Sequence, residues 1–292
     1  MQKLSPIEVN EICTELGETY PKSIEPVHGG DIHSAWKIEF SNKKLFLKRN
    51  DRTKKFLEFE KYCLENLSKY INQENLVVPK VIAYKNIKNI EILLIEWIDM
   101  KNFDQKKLGK GLGEMHLNST ESNPKIFGYP IEGFIGISDQ KKGWEDNWID
   151  CFLNLRIIPQ LSILKSNVLD EETINKVKEK IKSELLIHQP KNTLVHGDLW
   201  SGNVGVDKSR KGVIFDPASW WADNEVDIAM TRLFGGFSKE FYEEYHKIFP
   251  LKEGFEKRIT IYNFYHIINH ANIFGGSYFN QVKDYAKEIV NF

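Results

Sequence analysis

The chain has 292 residues, enough for two domains or one large one and for a sizeable core, which excludes a small disulfide or metal scaffold. Its 40 Lys and Arg against 41 Asp and Glu give a formal charge of −1, so there is no global basic field to draw nucleic acid or anionic membrane, and small-molecule partners are expected. The longest apolar stretch, residues 90–98, is cut by Glu91 and Glu96, so no membrane span is expected. The first residues lack the basic region, apolar run and small-residue cleavage site of a secretory signal, and the expected location is the cytoplasm. Cys13, Cys63 and Cys151 are widely separated with no C-x-x-C pair, so reduced, mostly buried thiols are expected. Nothing in the pattern specifies an oligomeric state.

Ser5-Pro6-Ile7-Glu8 carries an N-cap Ser, a Pro at the first helical position and a Glu three residues after the cap, and Gly17 supplies a stop. Strand texture follows at Ile24–His28, Ile32–Phe40 and Leu45–Lys48, with Gly29-Gly30 in the first turn. From Thr53 the period changes to helical, with Phe56, Phe59, Cys63, Leu64 and Leu67 on one stripe. Val77–Tyr84 and Ile90–Ile98 read as two further strands joined by the turn Lys85–Asn89. Beyond Asp99 helical spacing dominates, interrupted by a strand-and-loop region at Thr193–Asp216. The expectation is an α+β chain: an antiparallel sheet with one inserted helix over residues 1–97, then a mainly helical part over 98–292. Gly109, Gly111 and Gly113 fall inside a helical pattern, where they serve helix packing.

The chemistry concentrates in His196-Gly197-Asp198-Leu199-Trp200-Ser201-Gly202-Asn203 and in Val213-Ile214-Phe215-Asp216-Pro217. Two apolar strands each deliver an Asp, and an Asn follows the first by five residues. A base must meet an attacking hydroxyl on one side of a γ-phosphate while an Asn oxygen and a second carboxylate bind Mg²⁺ on the other, and one loop does both when they stand about a turn of chain apart. This pattern resembles the catalytic loop and metal-binding Asp of the protein-kinase-like phosphotransferases. Upstream, Lys48 ends an apolar strand, and Glu60 lies on the apolar stripe of the next helix, four residues from Phe56 and Leu64. A carboxylate there needs a partner, and the strand Lys is the natural one. In kinases such a pair holds the α and β phosphates. Gly29 and Gly30 stand where such enzymes fold a hairpin over the phosphates, and backbone groups of Glu96 and Ile98 stand where an adenine edge is met. No G-x-x-x-x-G-K-[ST] is present, which excludes a Walker-type site.

The Leu-Trp-Ser-Gly filling between Asp198 and Asn203, the Asp216-Pro217-Ala218-Ser219 continuation and Phe234-Gly235-Gly236-Phe237 are more specific. With Leu112–Leu117, Trp144–Arg156 and Asn269–Gly275 they resemble the fructosamine/ribulosamine kinase (ketosamine 3-kinase) family over nearly the whole chain. The resemblance implies a two-lobed kinase-like fold, ATP and Mg²⁺ as cofactors, and phosphorylation of a sugar hydroxyl on a ketosamine. It makes the partner a small-molecule ketosamine or a glycated lysine on a protein, and the outcome release of the amine, a deglycation repair. It assigns Asp198 as base, Asn203 and Asp216 to the metal, and Gly29, Gly30, Lys48, Glu60, Glu96 and Ile98 to ATP. Many family members carry a Cys in the glycine loop where this chain has Asp31, so redox control through that loop is not expected. For the acceptor, Trp200, Trp220 and Trp221 flank the two strands and offer rings to a sugar face, and His116 is a candidate substrate contact or a satisfied buried His. Asp227 is a candidate brace for the loop, and His266 with His270 reads as packing rather than as a metal pair. A kinase of the aminoglycoside or choline type and a non-catalytic nucleotide-binding module are the alternatives.

Overall fold

Ser5 starts helix α1 (Pro6–Leu16) as its sequence dictates. Its hydroxyl accepts the Glu8 N–H at 3.3 Å, the Glu8 carboxylate accepts the Ser5 N–H at 2.6 Å, and Gly17 ends the helix at φ 62°. The fold is described here from a computed structural model that covers residues 4–27, 33–100, 104–121 and 126–292. Gly29, Gly30 and Asp31 lie outside the described residues.

Strands β1 (Ser23–Val27), β2 (Ser34–Glu39) and β3 (Lys44–Asn50) form an antiparallel meander, helix α2 (Phe56–Leu67) follows, and the short β4 (Leu76–Val77) precedes β5 (Val81–Ile87) and β6 (Ile90–Glu96). The five-stranded sheet runs β1-β2-β3-β6-β5 with every neighbouring pair antiparallel. The expected strand Val77–Tyr84 is two strands. Its first residues leave the sheet to pair in parallel with a strand from the distant C-terminal part, and Pro79, which cannot donate to a ladder, stands between them. The turn between β5 and β6 shrinks to Lys88 and Asn89, both at positive φ (51° and 68°), the left-handed pair of a two-residue hairpin.

Period-two alternation gives the sheet two apolar faces. Leu45, Leu47, Ile92 and Leu94 pack with Val9 and Ile12 of α1 in a small outer core, while Leu93 and Ile95 join α2 and the C-terminal part in the main core. Lys48 pairs in register with Leu93, so its side chain stands on the α2 face.

The C-terminal part opens with α3 (Lys106–Glu121). Short strands β7 (Phe127–Tyr129), β8 (Gly133–Ile135), β9 (Ser138–Gln140) and β10 (Gly143–Glu145) follow, then α4 (Trp148–Phe152), a wide helical turn at Leu153–Ile157, α5 (Ile158–Ile163) and α6 (Glu171–Leu186). Next come β11 (Asn192–Val195), a 3₁₀ turn at Ser201–Asn203, β12 (Val204–Val206), β13 (Gly212–Ile214) and β14 (Trp220–Asp223). Helices α7 (Glu225–Leu233), α8 (Lys239–Ile248), α9 (Phe255–Phe274) and α10 (Tyr278–Val290) complete it. This part is helical in bulk, with strands too short for periodicity to reveal. The α3 glycines do serve packing: a Cβ at Gly109 would lie 2.1 Å from the Phe241 carbonyl oxygen of α8, and one at Gly111 would lie 2.6 Å from Leu76 Cβ. All three cysteines are buried. No helix among the described residues is long and apolar enough to cross a membrane.

Candidate active site

Strand β11 ends at Val195, and the chain turns through His196-Gly197-Asp198 into the 3₁₀ turn that carries Asn203. The turn needs Gly197, which sits at φ 84° with its α-carbon so close to β14's approach that a Cβ would lie 2.1 Å from the Ala218 carbonyl oxygen. His196 ties the loop to the second strand end: with the Phe215 carbonyl accepting at 2.9 Å from Nε2, Nδ1 is left to accept the Asp198 N–H at 3.3 Å. Asn203 Nδ2 donates to the Asp198 carbonyl at 2.9 Å and to its Oδ2 at 3.2 Å, which turns the Asn203 side-chain oxygen the other way. Burial, and then the negative charge of Asp216, push the Asp198 carboxyl up to about 7.

Asp216 reaches this place from β13 at φ 57°, a left-handed backbone that Asp tolerates better than most residues. Its half-exposed carboxylate forms an ion pair with the buried Lys48 Nζ, which also donates to Glu60 Oε1 at 2.8 Å. Burial opposes the Lys48 charge, but the two carboxylates, Asp216 foremost, hold the ammonium above its ordinary range. Residues 48, 60, 198, 203 and 216, drawn from strand β3, helix α2, the loop after β11 and the end of β13, therefore converge. Each of the five stands where the sequence pattern places it.

The sequence model of the fructosamine kinase family matches residues 7–292. The chain belongs to the fructosamine kinase family. Its relatives include proteins named as probable ketoamine kinases from Vibrio parahaemolyticus, 35% identical with 90% of this chain and 91% of the relative covered, and from Vibrio vulnificus, 34% identical with 96% and 99% covered. A solved structure from Haemophilus somnus assigned as a fructosamine-3-kinase superposes with a TM-score of 0.85 at 26% identity, covering 96% of each chain. Choline kinase LicA from Streptococcus pneumoniae, at a TM-score of 0.65 and 17% identity over 99% and 100% of the two chains, shares the fold. The protein is thus a phosphotransferase with the protein-kinase-like fold.

In this family member the remaining expected residues take different places. Glu96 ends β6 exposed, with its N–H donated to the Lys80 carbonyl at 2.9 Å, and Ile98 follows half-buried in the link to the C-terminal part. Trp200 is 38% exposed, its ring lying over Gly202 and edge-on to Phe234 at 6.1 Å. Trp220 is fully buried, between Trp148 at 5.5 Å and the Arg156 guanidinium at 4.0 Å, and Trp221 packs edge-on against Tyr70. His116 is also fully buried beneath the loop. Its Nε2 faces Asp227 Oδ2 at 3.1 Å and its Nδ1 faces the Tyr245 hydroxyl at 2.9 Å, so both ring nitrogens are used inside the protein. Of these four, Trp200 alone presents an exposed ring beside the loop.

Asp227 lies at the heart of the loop's support. Its two oxygens accept the N–H groups of His196 at 2.7 Å and Gly197 at 2.8 Å. Burial works against its charge, but the His116 hydrogen bond and the loop amides outweigh it and hold the carboxyl below the usual range. His266 and His270 form no shared ligand set, since His270 Nδ1 bonds the His266 carbonyl at 2.8 Å. Two further residues take places that the sequence pattern does not indicate. His33 stands near Lys48, and burial followed by the Lys48 charge pushes its imidazole down to about 4. Glu91, read as an interruption of an apolar strand, is buried at the start of α2.

Proposed function

We propose that the protein transfers the γ-phosphoryl group of ATP to a sugar hydroxyl of a ketosamine, the adduct of a sugar with a small amine or a protein lysine. The observation that carries this reading is the junction of Lys48 with both Glu60 and Asp216 beside the Asp198–Asn203 loop, since phosphoryl transfer is chiefly positioning and charge neutralisation. Lys48, held by Glu60, offers its ammonium to the α and β phosphates. Asp198, with a carboxyl that titrates near neutrality, orients the acceptor hydroxyl and takes its proton. The turned-out Asn203 oxygen and the half-exposed Asp216 carboxylate are hard oxygen donors and suit Mg²⁺. That ion, when bound, neutralises phosphate charge.

We assign the adenine edge to backbone groups of Glu96 and Ile98, and the phosphate hairpin to Gly29 and Gly30. Trp200 supplies a ring for the acceptor. Residues 1–97 and 98–292 form two lobes hinged at Trp97–Asp99, with the site between them. Phosphorylation of the adduct would destabilise it and release the amine, a repair of glycation in the cytoplasm.

The test is Mg²⁺-dependent ADP release on ribulosamine and fructosamine adducts of lysine, an aminoglycoside and choline. Turnover confined to the ketosamines is expected, and equal or greater turnover on the aminoglycoside or choline would overturn the substrate assignment.

A further inference from the structure

Helix α2 carries Glu60 but begins without a cap of its own. Its N-cap position is Lys55, a residue whose side chain makes no capping hydrogen bond and has no acceptor to offer. The amides an N-cap side chain ordinarily satisfies are those of the second and third helical residues, here Leu57 and Glu58. Both are taken by a carboxylate from elsewhere in the fold: Glu91 Oε2 accepts the Leu57 N–H at 3.3 Å and Oε1 accepts the Glu58 N–H at 3.0 Å. Glu91 sits on β6 and is 2% exposed. It is fixed in turn by the Tyr84 hydroxyl at 2.8 Å from β5 and by Asn50 Nδ2 at 2.6 Å from β3.

Asn50 stands two residues beyond Lys48 on β3, on the same face. It also donates to the Lys54 carbonyl at 2.8 Å and accepts the Arg52 N–H at 3.1 Å, bracing the connection into α2. Strand β3 and helix α2 are therefore joined twice, by Lys48 to Glu60 at the site and by Asn50 through Glu91 to the helix start.

We propose that Glu91 is a positioning residue for nucleotide binding: an N-cap supplied by the sheet that sets the register of α2 and so holds Glu60 on Lys48. This rests on the phosphoryl-transfer reading of Lys48 and Glu60. Fraying of the first turn of α2 would loosen the Lys48 ammonium without touching the acceptor side.

The test uses the full chain, with ATP and ribulosamine-lysine varied separately and hydrogen exchange followed at α2. Glu91→Ala is expected to raise the KM for ATP about tenfold, the loss of roughly one cap, to lower kcat, and to leave the acceptor KM within about twofold. The Leu57 and Glu58 amides should lose protection in the same variant. Lys55→Ser, which returns a local cap, should restore both ATP KM and protection in the Glu91→Ala background. Glu91→Gln keeps shape and one acceptor oxygen, guards against a variant that does not fold, and should give a shift of about threefold. The proposal is overturned if these variants keep the wild-type ATP KM, if the two amides stay protected, or if both KM values rise together and Lys55→Ser restores neither. A wild-type protein that binds no ATP would sink the reading of Lys48 and Glu60 instead, while the exchange data still report whether Glu91 caps the helix.

Discussion

Two buried carboxylates each accept a consecutive pair of backbone amides, and the two differ in what they hold. Asp227, in the first turn of α7, holds His196 and Gly197 in an irregular loop and is steadied by the His116 imidazole inside the main core. Glu91, in the sheet, holds Leu57 and Glu58 at the start of a regular helix and is steadied by Asn50 and Tyr84 from neighbouring strands. A helix deprived of its cap frays by a turn, because later amides have partners inside the helix. A loop deprived of its acceptor has no such reserve. The Lys48–Glu60 side of the candidate site is therefore adjustable where the Asp198 loop is fixed.

The sharpest way to break this contrast is Asp227→Ala. It leaves two buried amides and an imidazole without their acceptor, and a loss of about 3–5 kcal/mol is expected, read as a fall in denaturation midpoint far larger than that of Glu91→Ala. Equal losses would remove the distinction. Next comes Gly197→Ala, which places a Cβ 2.1 Å from the Ala218 carbonyl oxygen at a φ of 84°, and should cost about 2–3 kcal/mol and lower kcat without raising the KM for ATP.

The loop side also carries the group that titrates. Asp198 holds its proton up to about 7 in the folded protein against about 3.9 in an unfolded chain. The native state then binds the extra proton, so stability falls as pH rises from about 4 to about 7 and stays lower above it. Asp198→Asn should raise the melting temperature by a few degrees at pH 8 and leave it unchanged at pH 4. In the wild type kcat/KM should climb through about pH 7 as the carboxylate appears. A profile flat from pH 5 to 9 would remove Asp198 as the titrating base. The smallest effect belongs to Tyr84→Phe, which deletes one of four donors on Glu91; calorimetry should show a loss of about 1 kcal/mol and kinetics an ATP KM within about twofold.

Much of the site was legible because its chemistry fixes residue type and spacing. Asp198, Asn203 and Asp216 sit at strand ends that apolar runs announce, and Glu60 betrays itself as a carboxylate on an apolar stripe. The supports were harder to read. Glu91 accepts from α2 across more than thirty residues of chain, and nothing local distinguishes it from an ordinary strand interruption. Asp227 was legible as a candidate because of its helical position, but not the pair of amides it holds. His116 and Trp220 show the converse: His116, distant from the motif in sequence, is buried because Asp227 and Tyr245 take both its ring nitrogens, and Trp220, close to the motif, is buried by ring packing against Trp148 and Arg156; only the backbone path decides that. In the fold, Leu76–Val77 escaped because a two-residue strand has no period, and its partner Gly212–Ile214 lies more than a hundred residues away. The acceptor's identity rests on the family resemblance and Trp200, since sugar hydroxyls demand no single residue pattern.

The most direct test of the central claim is transfer of labelled γ-phosphate from ATP to ribulosamine-lysine at saturating Mg²⁺, comparing wild type with Asp198→Asn and Lys48→Met. The account predicts labelled ketosamine phosphate from the wild type and a loss of about a thousandfold in kcat for Asp198→Asn, with Lys48→Met failing chiefly in ATP use. Labelled product formed by Asp198→Asn at the wild-type rate would contradict it.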